Sequence, residues 1–164
     1  MSVSKALSYA MGIVTLGLAL GSQAQSITTD LADKKTLTLS VAKKVAMAAE
    51  AEAAKNKWNV VIAVVDDGGH LVYLQRMDGT QTGSVDVAIK KAKTAQSFKR
   101  ATKVFEDAIA GGRNALLGLS GALPIEGGLP LNAGGQLIGA IGVSGVTAQQ
   151  DGMVAKAGAD LFAQ

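Results

Sequence analysis

Nine consecutive residues, Trp58 to Asp66 (WNVVIAVVD), hold five β-branched side chains and no polar alternation after Asn59. A strand with one wet face would alternate, so this run reads as a central strand covered on both sides. Asp67-Gly68 follows as a tight hairpin turn, and His70 to Met77 reads as the return strand. With a two-residue turn, Val65 lies opposite His70, and Val72, Leu74 and Arg76 share the face of His70. Whatever else the chain builds must cover both sides of this hairpin's first strand.

The covers are legible as helices. Thr38 or Ser40 can cap a helix running to about Lys55 over Val41, Val45, Ala46, Ala49 and Ala53, and alanine is the best helix former. A second helix is predicted from about Ser84 to Arg100. At 100° per residue, Ala88, Ala92 and Ala95 form one close-packing face, and Lys91, Thr94 and Phe98 form a stripe beside it, on the border between buried and wet. Lys90, Lys93, Ser97 and Arg100 point into solvent. A short helix over Glu106 to Ala110 stops at Gly111-Gly112. The glycine-rich stretch to Gly145 reads as three short strands, Leu119 to Pro124, Leu129 to Asn132 and Gln136 to Val143. Asn132-Ala-Gly-Gly135 turns between the last two. Thr147-Ala-Gln-Gln150 is a capping-box pattern opening a last helix to about Phe162. The order α-β-β-α-(α)-β-β-β-α gives an antiparallel sheet with helices on its faces, an α+β sandwich.

The N-terminus reads as a secretory signal peptide over residues 1–24. Lys5 is the only charged side chain before Asp30, an apolar run covers roughly Ala6 to Leu20, and small residues stand at Ser22 and Ala24. The run is short of the roughly 18 to 20 residues a spanning helix needs, so no membrane anchor is expected after cleavage. Residues 25–164 are then one domain of a periplasmic or secreted protein, too short for two cores. The sequence has no cysteine, so packing alone must stabilise it. Aromatic residues make up 4% of the chain, which points to a core of closely approaching small side chains and to homo-oligomerisation as a way of burying more surface.

Elimination narrows the chemistry. One histidine and no cysteine cannot form a structural zinc site. No Gly-x-Gly-x-x-Gly or Walker-type sequence follows a strand. Gly142-Val-Ser-Gly145 is not a nucleophile elbow, because its second glycine comes one residue too early. A Ser-His-Asp triad would need His70, which stands beside a hairpin tip. Nucleic acid does not suit an exported chain with so few aromatics.

Two features remain. Lys90, Lys91, Lys93, Lys99, Arg100 and Lys103 form a basic cluster, most of it a solvated helix face. Lys91 differs: beside the alanine face, its ammonium can reach into a cleft, and a cationic cleft suits a carboxylate, whether of an organic acid or of haem propionates. His70 is the sole nitrogen ligand available for a haem iron or a single-ligand metal site. Its bland alternative is a half-exposed strand residue.

Several segments together resemble one family. They are Val64-Val-Asp-Asp-Gly-Gly-His-Leu-Val72, Arg76-Met-Asp-Gly79, Ala88-Ile-Lys-Lys-Ala-Lys-Thr-Ala95, Gly127-Gly-Leu-Pro-Leu131, Ile138-Gly-Ala-Ile-Gly-Val-Ser-Gly145, and Asp151 through Gly158. In order and across nearly all of residues 25–164, this is similar to the GlcG/HbpS family. The resemblance implies a profilin-like α+β sandwich that assembles into oligomers, often octamers. It also implies that some members bind haem, that some are linked to haem degradation or iron handling, and that related domains are fused to corrinoid adenosyltransferases. It places the pocket at the helix Lys91 to Ala95 and the turn Gly127 to Pro130, with Thr94 facing the ligand. Acidic Glu-x-x-Glu pairs for surface iron are not evident; Glu50 and Glu52, two apart, point to different sides of a helix.

Three readings follow. The chain is a non-catalytic haem or tetrapyrrole-binding module, with Lys91, Thr94, Phe98 and His70 at the ligand. Alternatively, Lys91, Arg76 and the backbone N–H groups at Gly127 and Gly128 hold a short organic acid such as glycolate. Enzymatic haem breakdown ranks below simple binding, since no oxygen-activating constellation is visible.

Overall fold

The computed structural model describes residues 29–163. The sheet and its helices lie in one compact unit, Lys35–Gln164. The expected signal peptide, residues 1–24, lies outside the described residues.

Helix α1 (Leu39–Lys55) is capped by Thr38, whose Oγ1 accepts the Val41 N–H at 3.3 Å. Strands β1 (Val61–Asp66) and β2 (Leu71–Arg76) form the hairpin. Helix α2 (Ser84–Phe98) and the short α3 (Lys103–Ala110) follow, then a 3-10 turn at Asn114–Gly118. Strands β3 (Gly128–Ala133) and β4 (Gln136–Ser144) precede α4 (Ala148–Ala159). The sheet order is β2-β1-β4-β3, with every neighbouring pair antiparallel. This is the expected profilin-like α+β sandwich.

The unbroken run of β1 is explained by cover on both faces. Ile62 and Val64 join Ile141, Val143 and Leu131 under α1 and α4, against Val45, Ala49, Val154 and Ala155. Val61, Ala63 and Val65 face the other way, onto the Ala88, Ala92 and Ala95 face of α2. Small residues set the spacing of the layers. A β-carbon on Gly142 of β4 would lie 2.1 Å from the Ala88 carbonyl oxygen, so α2 rests directly on the strand backbone. Gly158 of α4 does the same against Val45 of α1, where the contact would be 2.9 Å.

Two expectations need correction. The hairpin turn is longer than two residues: Asp66 Oδ1 accepts the N–H groups of Gly68 (2.9 Å) and His70 (2.8 Å), and Gly69 takes φ +79°. The register shifts between Val64 and Val65, so Val65 pairs with Leu71 rather than His70. That bulge turns Val72 toward the α1 side while Leu74 packs on the α2 side, and the two do not share a face. Second, Leu119 to Pro124 is not a strand. Gly121 sits at φ +75° and Pro124 has no N–H, so the segment turns instead of entering the sheet. Among the described residues, no helix is long and apolar enough to cross a membrane.

Candidate functional site

The stripe Lys91, Thr94, Phe98 runs along the flank of α2, and at its Lys91 end it reaches the backbone of β4. Residues 101–128 fold back over it, which makes Lys91 and Thr94 fully buried rather than half-wet. Each stripe residue meets one element of this cover. Phe98 packs edge-on against Phe105 of α3, with ring centroids 5.3 Å apart and Arg100 over the Phe105 ring. Thr94 Oγ1 donates to the Lys90 carbonyl at 2.8 Å and accepts the Leu123 N–H at 2.8 Å. Lys91 lies under Gly127.

The Lys91 ammonium is paired. Its Nζ donates to Asp151 Oδ2 at 2.7 Å and to the Val143 carbonyl at 3.0 Å. Asp151 Oδ1 accepts the Val146 N–H at 3.2 Å. Burial pushes the Asp151 carboxyl above its ordinary range, and the hydrogen bond and charge of Lys91 oppose that push. Gly127, at φ +123°, closes the pair off from above. A β-carbon there would stand 2.9 Å from Lys91 Nζ and 2.8 Å from the Val143 oxygen, so only glycine fits.

Beside the pair opens a cleft of about 240 Å³ between the start of α3, the start of β3 and the first turns of α4. Ala101, Gly127, Gly128, Leu129 and Gly152 give it apolar walls, and Lys103, Glu126 and Lys156 supply its charge. Lys103 is bonded to Asp107 (2.6 Å) and Lys156 to Asp160 (2.6 Å). The Asp107 hydrogen bond raises the Lys103 pKa. Glu126 is raised too, first by burial and then by Glu106 and Asp107, with Lys103 opposing. The N–H of Gly128 donates to the buried Thr102 Oγ1 at 2.9 Å, so it is occupied in this arrangement.

Of the residues named from sequence, Lys91, Thr94, Phe98, Gly127 and Gly128 come together. Pro130 stands two residues along the edge strand from Gly128, opposite Ala140. His70 and Arg76 lie elsewhere. His70 is exposed at the hairpin turn, at the Asp66–Gly139 end of the sheet, whereas Gly128 pairs with Gly142. Arg76 is exposed on β2, the opposite edge of the sheet from β3. The structure adds Thr102, Glu126 and Asp151 to the group that does come together. Asp151 sits 60 residues from Lys91, and no local pattern links them. Among the described residues, no group of three or more His, Cys, Asp or Glu side chains is placed to hold a metal ion.

The model of a family described as "Haem degrading protein HbpS-like" matches residues 37–160, which hold every element of the sheet and its covering helices. The chain belongs to the HbpS-like family. Among its relatives, Protein GlcG of Escherichia coli (strain K12) is 43% identical to this HbpS-like chain over 111 residues, which span 68% of the chain and 83% of GlcG. The crystal structure of HbpS aligns with a TM-score of 0.73 at 33% identity, covering 82% of this chain and 95% of that one. The crystal structure of a PduOC:Heme complex aligns with a TM-score of 0.70 at 29% identity, covering 76% and 94%.

Proposed function

We propose that this chain is an exported haem- or tetrapyrrole-binding protein that works as a homo-oligomer in the periplasm or outside the cell. The observation that carries the reading is the shared fold with the PduOC:Heme complex across 94% of that chain. The N-terminal signal pattern supports export, and N-terminal sequencing of the secreted chain, expected to begin at Gln25, tests it.

The candidate ligands offer two routes to an iron. His70 is accessible but separate from the stripe. Thr94 is in the stripe but covered, its hydroxyl donating to the Lys90 carbonyl and accepting the Leu123 N–H. The cleft, at about 240 Å³, is smaller than the ~300–1,000 Å³ of ordinary small-molecule sites, and a tetrapyrrole does not fit it as it stands. Haemin titration of tag-free mature protein, with His70→Ala and Thr94→Ala alongside, is the test. Saturable binding at one haemin per subunit, lost in one variant, supports the reading and names the ligand. Flat, non-saturable spectra overturn it.

A second reading, a short organic acid, is favoured by the cleft itself, whose size suits a few-carbon ligand. Arg76 is too far across the sheet to take part, Lys91 is held by Asp151 and the Gly128 N–H by Thr102. The cations lining this cleft are Lys103 and Lys156, whose exposed pairs with Asp107 and Asp160 a ligand carboxylate would have to share. Calorimetric titration with 2-hydroxy and 2-oxo acids tests it; no heat and no thermal shift would sink it.

A further inference from the structure

We propose that residues 113–125 form a hinged strap, latched to α2 by Thr94, that must swing off before a tetrapyrrole reaches the helix stripe. The ligand in this proposal rests on the haem reading above; the strap itself does not.

The strap has the build of a separable piece. From Glu106 to Glu126 no residue is buried, although the segment carries Leu116, Leu117, Leu119, Leu123 and Ile125. Leu117 is 66% exposed and Ile125 39%. Among the described residues, one hydrogen bond fastens 113–125 to the helix–sheet body, from the Leu123 N–H to Thr94 Oγ1 at 2.8 Å. The others in that stretch are local, such as Leu119 N–H to the Leu116 carbonyl and Ala122 N–H to the Leu119 carbonyl. Gly112, at φ +95° with nothing within 4 Å of where a β-carbon would stand, is a free hinge at one end, and Gly127, whose carbonyl accepts the Val143 N–H at 2.9 Å, anchors the other.

Beneath this cover, Thr94 is the turning point. Its hydroxyl has one proton, given to the Lys90 carbonyl, and it accepts the Leu123 N–H. A ligand approaching Oγ1 meets the strap first, because the Leu123 backbone lies at 2.8 Å over that oxygen. Releasing that one latch uncovers Thr94 and frees a set of leucines to line the face of a flat apolar macrocycle. Thr94 is fully buried beneath the strap, so a ligand reaches its hydroxyl only when the strap is open. A net hydrogen bond of about 0.5–1.5 kcal/mol corresponds to a two- to tenfold change in the open population.

Limited proteolysis and amide exchange on the full mature chain test this with Thr94→Val, Thr94→Ser and Leu123→Pro. Cleavage within 113–125 is expected to proceed by local opening, faster than global unfolding measured at β1 and β4. Thr94→Val speeds it two- to tenfold, and Thr94→Ser, which keeps the hydroxyl, restores the wild-type rate. Leu123→Pro, which removes the latching N–H but keeps Thr94, raises the haemin association rate by the same factor. Should Leu123→Pro not fold, the Thr94→Val and Thr94→Ser pair still decides. The strap is refuted if cleavage tracks global unfolding, if Thr94→Val cleaves at the wild-type rate, or if haemin saturates the protein without changing exchange at Leu123. Absence of haemin binding in all variants refutes the haem reading and its ligand, while the cleavage rates still report on the latch.

Discussion

Lys91 Nζ and Asp151 Oδ2 meet at 2.7 Å across 60 residues of sequence, with side-chain exposures of 1% and 3%. The pair ties α2 to the first turn of α4 beneath the cleft. Taking two charges out of water is costly, so such a pair survives only with its other bonds made, here to Val143 and Val146.

Breaking the pair from one side therefore leaves a buried charge without a partner. Lys91→Met is expected to cost about 3–5 kcal/mol, and Lys91→Met with Asp151→Leu to recover most of it. Urea unfolding of the two variants checks this. A double variant no more stable than the single one would show that packing, not the stranded charge, dominates.

Glu126 gives stability a pH dependence. Its folded-state pKa is raised above the ordinary 4.5, chiefly by burial, so the folded chain holds the proton more tightly than the unfolded one. The stabilising contribution is full below 4.5 and lost as pH rises through the raised value. Melting temperatures of wild type measured against Glu126→Gln are therefore expected to fall across that window and then level off. A difference that stays constant with pH contradicts the assignment.

Gly142→Ala drives a methyl group into the backbone of α2, where the Ala88 oxygen would be 2.1 Å away. Neither helix nor central strand can yield locally, so a loss of about 3 kcal/mol is expected by chemical denaturation. Gly135→Ala, where nothing lies within 4 Å but φ is +78°, is the control, with a loss of about 1 kcal/mol from backbone strain alone.

Thr147 and Gln150 close a reciprocal capping box at the start of α4. Thr147→Ala removes one half and is expected to cost about 1 kcal/mol, read as a lowered melting temperature. Thr147→Ser should retain most of the stability.

Much of the fold is legible in short stretches because its signals are local. The β-branched run at 60–65 demands cover on both faces, the alanines of 42–53 and 88–95 mark the helix faces that supply it, and Thr38 and Thr147 mark helix starts by capping. The failures are local too, where one backbone choice outweighs pattern. The Asp66 carboxylate accepts two N–H groups in the hairpin turn and shifts the register, and Gly121 and Pro124 turn an apolar stretch away from the sheet.

The site divides along the same line. Sequence by itself determined that Lys91, Thr94 and Phe98 share one stripe of a helix, because 3.6-residue periodicity sets it. Only the tertiary structure decided what meets that stripe: Asp151 and Gly127 at Lys91, Leu123 at Thr94, Phe105 at Phe98. It likewise set His70 and Arg76 apart from it. Periodicity along a helix is a property of neighbouring residues. Partners that arrive from 7 to 60 positions away depend on how the chain folds back, and no local pattern encodes that.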